Sequence, residues 1–263
     1  MLRFTTGSLQ RSQRVFKLTE AGDFFLAFAR ETLAKAHEIG KLFDELNLGV
    51  KGEVKVGATR SVGIYILPDI LSRITHEFPQ LKLSLFTQSR DPTYEQLKKG
   101  EIDLALVLPD AGPVGLVANP LRSEPLCFVI SPHHPLASKR TVSLKDLDLT
   151  PFAIGIKGNE FSDMVDSILE RKGISVPTNG FTISNLQGRK EAARAELGVA
   201  ILPVFAVRNE IRDGSLKKLV VRGIQLDDTY LMLVEPPRKP AKPSAKLIKS
   251  ILEKNLKSTT VAY

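Results

Sequence analysis

The chain has 263 residues, 43% of them hydrophobic and 25% charged, an ordinary globular composition with room for two or three compact units. Its formal net charge of +8 sits at the ends: residues 1–17 carry +4 and residues 236–263 carry +6, which leaves the middle slightly acidic. The single cysteine, Cys127, excludes an intrachain disulfide, and no stretch approaches the roughly 20 apolar residues of a membrane span, so a cytoplasmic protein with no membrane partner is expected.

Residues 19–48 are predicted to form one long helix. Thr19 is a good N-cap. Leu26, Ala29, Leu33, Ala36 and Phe43 recur at coiled-coil-like spacing, beside a second row of Phe25, Ile39 and Leu46. That stripe is wide for a helix packed only on its own domain, and it predicts dimerisation. Gly49 and Gly52 supply the stop and the hinge.

From residue 53 onward strands and helices alternate. Residues 53–58 (EVKVGA) read as a strand, 62–78 as a helix stopped by Pro79, 81–87 as a strand and 93–99 as a short helix closed by Gly100. Residues 102–108 are a nearly continuous apolar run, as expected for a central strand covered on both faces. A second set follows: strands 127–131 and 152–156, helix 161–172, strand 180–184, helix 186–197 and a buried strand 198–202. Strands 216–221 and 230–234 and a basic helix 243–257 close the chain. Cys127 lies in an apolar strand-like run and reads as an inert buried thiol. The alternation predicts an α/β fold of βαβ units with a mostly parallel sheet.

Open α/β sheets bind ligands where strands finish and helices begin. Four turns qualify: Thr59-Arg60-Ser61, Gln88-Ser89-Arg90, Lys157-Gly158-Asn159 and the one at Asn185. Arg60, Arg90 and Lys157 place a cation in three of them, and helix N-termini add partial positive charge. Together they predict a small organic anion, a carboxylate, as ligand.

Five motifs occur in order: Leu18-Thr19-Glu20-Ala21-Gly22; residues 52–68 (GEVKVGATRSVGIYILP); residues 97–107, with the pattern Leu-x-x-Gly-x-Ile-Asp-Leu-Ala-Leu-Val; Ser-Pro-His-His-Pro at 131–135 with Ser-Leu-Lys-Asp-Leu at 143–147; and residues 196–203 (ELGVAILP). In this order and spacing the chain resembles the LysR-type transcriptional regulators. The resemblance implies a long N-terminal linker helix over residues 18–51, followed by a two-subdomain effector domain like a periplasmic binding protein. Subdomain I would comprise 52–124 plus 226–258, subdomain II 125–225, and 259–263 a tail. It further implies that Thr59, Arg60, Ser61, Ser89, Arg90, Lys157, Asn159 and Asn185 contact the effector, and that the protein forms a dimer or tetramer.

Residues 1–17 resemble only the wing of that family's winged helix-turn-helix. Arg11, Arg14 and Lys17 could touch DNA phosphates, but phosphate contacts do not read sequence. DNA is therefore expected as a partner of a full-length form, not as a specific target of these residues alone. No catalytic or cofactor motif appears: there is no Gly-x-Ser-x-Gly, no phosphate-binding loop and no Gly-x-Gly-x-x-Gly. His76, His133 and His134 lack convergent metal-ligand partners. The expected protein is thus a non-enzymatic, cofactor-free regulator. Two alternatives stay open: a headless effector-binding sensor, and a type-2 solute-binding protein of transport, against which the absence of a signal peptide argues.

Overall fold

A computed structural model of the chain describes residues 9–12, 15–108, 114–157, 159–174, 180–237 and 242–257. The chain opens with an antiparallel hairpin, β1 (Leu9–Ser12) and β2 (Val15–Leu18), in the segment read as a wing. Arg11 and Lys17 lie on its two strands, and Arg14 falls outside the described residues. Helix α1 (Glu20–Leu48) follows, its first turn capped by the Thr19 hydroxyl, which accepts from the Gly22 amide at 3.1 Å. Gly49 ends it in the left-handed conformation at φ 77°, with room for no Cβ because the Pro243 carbonyl is 2.5 Å from where one would sit.

Lobe I is a five-stranded sheet in the order β4-β3-β5-β12-β6, from β3 (Gly52–Thr59), β4 (Leu81–Gln88), β5 (Leu104–Val107), β6 (Val117–Glu124) and β12 (Thr229–Glu235). Its helices are α2 (Arg60–Tyr65), α3 (Leu67–Glu77), α4 (Arg90–Lys99) and the last helix, α9 (Pro243–Lys257). Lobe II holds β7 (Leu126–Ile130) between β10 (Ala200–Pro203) and β11 (Lys217–Leu219), all antiparallel. A parallel pair, β8 (Ala153–Ile154) and β9 (Phe181–Thr182), joins this sheet through a Phe152–Val199 bridge. Helices α5 (Leu144–Asp148), α6 (Glu160–Arg171), α7 (Leu186–Arg194) and α8 (Val204–Asp213) complete the lobe.

The expected mostly parallel sheet is corrected to a mixed one. β3 runs parallel to β4 and β5, but β12 is antiparallel to both β5 and β6. The cause is topological: β6 carries the chain out of lobe I and β12 brings it back. The single helix expected over 62–78 is two helices, broken at Ile66, because Pro68 in the first turn of α3 cannot donate its backbone hydrogen bond. Strand β6 and helix α8 were not predicted. β6 contains Pro120, beside which its pairing with β12 shifts register.

Aliphatic packing holds each lobe. Val54, Val56, Leu104, Leu106, Leu231 and Leu233 lie under the helices of lobe I, and Phe128, Ile130, Leu147, Phe152 and Leu169 form a separate cluster in lobe II. The first cluster continues across the lobe boundary through Leu186, Leu202 and Phe205. No described helix is long and apolar enough to cross a membrane. Leu106 is fully buried on a central strand, so Leu106→Ala is expected to cost about 2–5 kcal/mol, measured by urea denaturation.

Candidate functional site

The ends of strands from both lobes meet at a cleft with about 650 Å3 of atom-free space, part of it open to solvent. From lobe I, β3 ends at Thr59 and leads into Arg60 and Ser61, while β4 ends at Gln88 and leads into Ser89 and Arg90. Leu108 follows β5. From lobe II come Asn159 and Phe161 at the start of α6, and Ser184, Asn185, Leu186 and Arg189 at the start of α7. Of the residues singled out from the sequence, Thr59, Arg60, Ser61, Ser89, Arg90, Asn159 and Asn185 line this cleft. Lys157 is exposed and is not among the lining residues.

Two asparagines do double duty as caps. The Asn159 Oδ1 accepts from the Ser162 amide at 3.3 Å, and the Asn185 Oδ1 accepts from the Gly188 amide at 2.7 Å. With the oxygens committed to the helices, each side-chain amide is left with its N–H donors. Both caps therefore present donors where the helix dipoles are positive.

The cations differ sharply. Arg60 is exposed. Arg90 is turned onto its neighbour Asp91, with Nη2 to Oδ1 at 3.0 Å, and stacks 5.8 Å from the Tyr94 ring centroid. Arg189 is only 3% exposed, and no acid forms an ion pair with it among the described residues. Its Nε is buried without a hydrogen-bond partner, and its guanidinium lies 5.1 Å from the centroid of the Phe161 ring. Burial pulls its pKa down to about 10, partly opposed by the nearby Asp166, so it is charged at neutral pH. Gly155 makes the space for it: a Cβ there would sit 1.7 Å from Ser162 Oγ and 3.2 Å from Arg189 Nη1.

Across the cleft, Thr59 Oγ1 is also buried without a partner. Buried polar groups are nearly always paired in folded proteins. Among the described residues three buried side-chain atoms lack a partner, Thr59 Oγ1, Arg189 Nε and Thr229 Oγ1, and two of these are at the cleft, one on each lobe.

Gln88, in one of the four turns read from the sequence, also lines the cleft, while sequence reasoning missed Leu108, Phe161, Ser184, Leu186 and Arg189. For Arg189 a signal existed. It lies three residues after Leu186, so the first turn of α7 carries both on the face that Asn185 brings to the cleft. The histidine pair makes an ordinary turn, in which His134 Nδ1 accepts from the Leu136 amide at 3.2 Å.

Comparison with known proteins places this geometry in context. The family model described as LysR substrate binding domain matches residues 48–257. The HTH-type transcriptional regulator CysL of Bacillus subtilis (strain 168) is 26% identical over 223 residues, spanning 85% of this chain and 74% of that protein. Among solved structures, full-length CbnR complexed with its target DNA superposes at a TM-score of 0.73 with 21% identity, covering 95% of this chain and 84% of that one. The regulatory domain of CcmR from Synechocystis PCC6803, in complex with 2-PG, gives a TM-score of 0.69 with 19% identity, covering 80% of this chain and 99% of that one. At these identities the structural matches show the fold.

An unpaired buried guanidinium destabilises the protein that holds it. Arg189→Met keeps the stem and the contact with Phe161 and removes the charge. It is expected to raise the stability of the ligand-free protein by about 1–2 kcal/mol, read from urea denaturation. A loss of stability instead would mean that Arg189 has a counter-charge.

Proposed function

The chain belongs to the LysR family, whose substrate-binding domain it carries over residues 48–257, and we propose that its inter-lobe cleft binds a small organic anion through Arg189. As a LysR-type transcriptional regulator with an effector-binding domain, it couples a small molecule to transcription. The observation that carries the anion reading is the buried Arg189, whose Nε has no hydrogen-bond partner, facing a lobe on which Thr59 Oγ1 is also unpaired. An acid group of the ligand would take the guanidinium, and another oxygen would take the Thr59 hydroxyl. Ser61, Ser89, Asn159 and Asn185 supply further polar contacts, and Leu108, Phe161 and Leu186 an apolar wall. Arg60 and Arg90 add positive potential from lobe I. Lys157 acts at longer range, through the field it shares with Asp166. The 2-phosphoglycolate in complex with the CcmR regulatory domain is a small organic anion.

We further propose that α1 is the dimerisation element. Leu26 and Ala29 are half-buried, while Leu33, Ala36 and Phe43 are exposed, as are Phe24, Phe25, Phe28 and Ile39. An apolar stripe of this extent marks an association surface. Arg11 and Lys17 on the hairpin would add phosphate contacts in a DNA-bound assembly. Ligand binding would act by population shift, favouring the lobe angle at which both sides of the cleft touch the ligand.

Calorimetry with organic carboxylates and phosphate esters, 2-phosphoglycolate included, and with neutral analogues of each tests the anion reading. Binding is expected only among the anions, and Arg189→Gln is expected to weaken it about 10- to 100-fold, as for a lost hydrogen-bonded charge contact of about 1.5–3 kcal/mol. Binding of neutral compounds alone, or an unchanged affinity in the variant, sinks it. For α1, the double variant Phe28→Glu with Leu33→Glu should raise the dimer dissociation constant by roughly 100-fold in sedimentation analysis, since two large apolar side chains contribute about 3 kcal/mol or more on burial.

A further inference from the structure

The two helices that open onto the cleft also touch each other behind it. Helix α2 begins at the cleft with Arg60 and Ser61 and ends with Tyr65. Helix α7 begins at the cleft with Leu186 and Arg189 and turns Gln187 and Lys190 toward Tyr65. The Tyr65 hydroxyl donates to Gln187 Oε1. That oxygen is aimed by the other end of its amide, whose Nε2 donates to Glu191 Oε1 at 3.1 Å. The Lys190 ammonium lies 4.8 Å from the Tyr65 ring centroid, and Lys190 is itself only 4% exposed. Glu210 of α8 holds it there as an ion pair. The ring of Phe205, also on α8, is 6.2 Å away and tilted against Tyr65. One side chain of lobe I is thus gripped by two helices of lobe II through a hydrogen bond, a cation–π contact and an aromatic contact.

This grip bears on the cleft because its parts are rigid. Val62 is fully buried, and Gly63 brings α2 so close to β4 that a Cβ would sit 2.2 Å from Thr87 Cγ2. α2 therefore moves only with lobe I. α7 packs on β7, β8 and β10, so it moves with lobe II. Thr59 and Tyr65 share one of these bodies and Arg189, Gln187 and Lys190 the other, so the Tyr65 contacts resist a rotation that separates Thr59 from Arg189. Burial pulls the Lys190 pKa down, but Glu210 and Tyr65 outweigh it and hold it above the usual lysine value, so the cation in this contact persists at neutral pH.

We propose that Tyr65 is the positioning residue of the cleft: it clasps lobe II through Gln187 and Lys190 and fixes the angle at which Thr59 and Arg189 face one another. Its consequence for the ligand is pre-organisation. A protein that spends less time at the competent angle binds its ligand more weakly in proportion. The clasp is a property of the ligand-free protein and stands apart from the nature of the ligand.

The test reads the lobe angle directly, without ligand. Spin labels on the full chain at Lys82→Cys in lobe I and Asp148→Cys in lobe II, both exposed positions, report the inter-lobe distance by double electron–electron resonance, while the native Cys127 is buried and escapes labelling. The otherwise unchanged protein should give one narrow distribution. Tyr65→Ala should shift and broaden it. Tyr65→Phe, which keeps the ring contacts and loses the hydroxyl, should fall between the two. Gln187→Ala removes the acceptor, along with the amide contact to Glu191 that aims it, at an exposed position and should match Tyr65→Phe, so it decides the matter if Tyr65→Ala does not fold. A distribution in Tyr65→Ala, or failing that in Gln187→Ala, identical to that of the unchanged clasp overturns the proposal. Because no ligand is present, that result leaves the reading of Arg189 untouched, and a failed anion-binding experiment leaves the clasp untouched.

Discussion

The cleft exists because the chain crosses between its lobes twice, in opposite directions. β6 leads out through Glu124 and Pro125 into β7, and β12 leads back, so the two crossings pair antiparallel with Thr229 opposite Glu124. Most of the polar groups named at this junction are tied down, the buried Thr229 Oγ1 excepted. Ser123 donates to Asp228, Arg122 pairs with Glu124, and the Val204 amide, at the first residue of α8, donates to the Pro125 carbonyl at 2.9 Å. Glu124 is 1% exposed, and burial raises its pKa in spite of Arg122. A two-stranded connection tethered in this way restricts the relative motion of the lobes to bending about the junction. Strand ends that face each other on either side of it stay paired across the gap.

That restriction explains why so many polar residues converge. β3 and β4 finish on the cleft side of lobe I, and α6 and α7 start on the cleft side of lobe II. Helix starts need capping side chains, so Ser, Thr and Asn collect there for structural reasons before any ligand is considered. Asn159 and Asn185 satisfy the helices with their oxygens and are left with donors. The aliphatic clusters beneath offset the cost of what the cleft withholds, namely a partner for Arg189 and for Thr59. A structure that buries an arginine with its Nε unpaired where strand ends converge has stability to gain from an anion that fits.

How much of this was legible in the sequence depends on whether the deciding neighbour was near in the chain. β3 reads directly, because EVKVGA alternates and then meets Thr-Arg-Ser. α1 reads directly, because its N-cap and its stripe are both local. Arg189 did not. A cation in a helix is ordinarily solvated, and its burial is set by Gly155, Phe161 and Ser162, some thirty residues earlier. Lys157 looked equivalent to Arg60 because it too follows a strand, but it does not line the cleft, whereas Arg60 does. β6 was hidden by Pro120, which a sheet tolerates only on an edge strand such as β6 or at an irregularity. α8 was hidden by Pro203, which reads as an ending yet sits at the N-cap with φ −62°, a value compatible with entry into a helix. The mixed sheet was out of reach of local patterns altogether, since strand direction follows from where the chain returns.

The placement of α1 constrains how an angle change can be transmitted. α1 meets the effector domain at its C-terminal end: Gly49 is pressed on Pro243 of α9, and Lys51 lies 3.7 Å from Glu45. α9 in turn buries Ala245, Ile248, Leu252 and Leu256 in the core of lobe I. Within one chain, then, α1 is an extension of lobe I, on the same rigid body as Thr59 and Tyr65. Bending at the β6–β12 junction moves lobe II relative to α1 without altering α1 itself. In the proposed dimer, a second α1 packed along the first would feel that motion only through surfaces that lobe II presents to neighbouring subunits. Coupling between cleft and helix would therefore be a matter of assembly geometry, because bending at the junction leaves the long helix of the isolated chain unchanged.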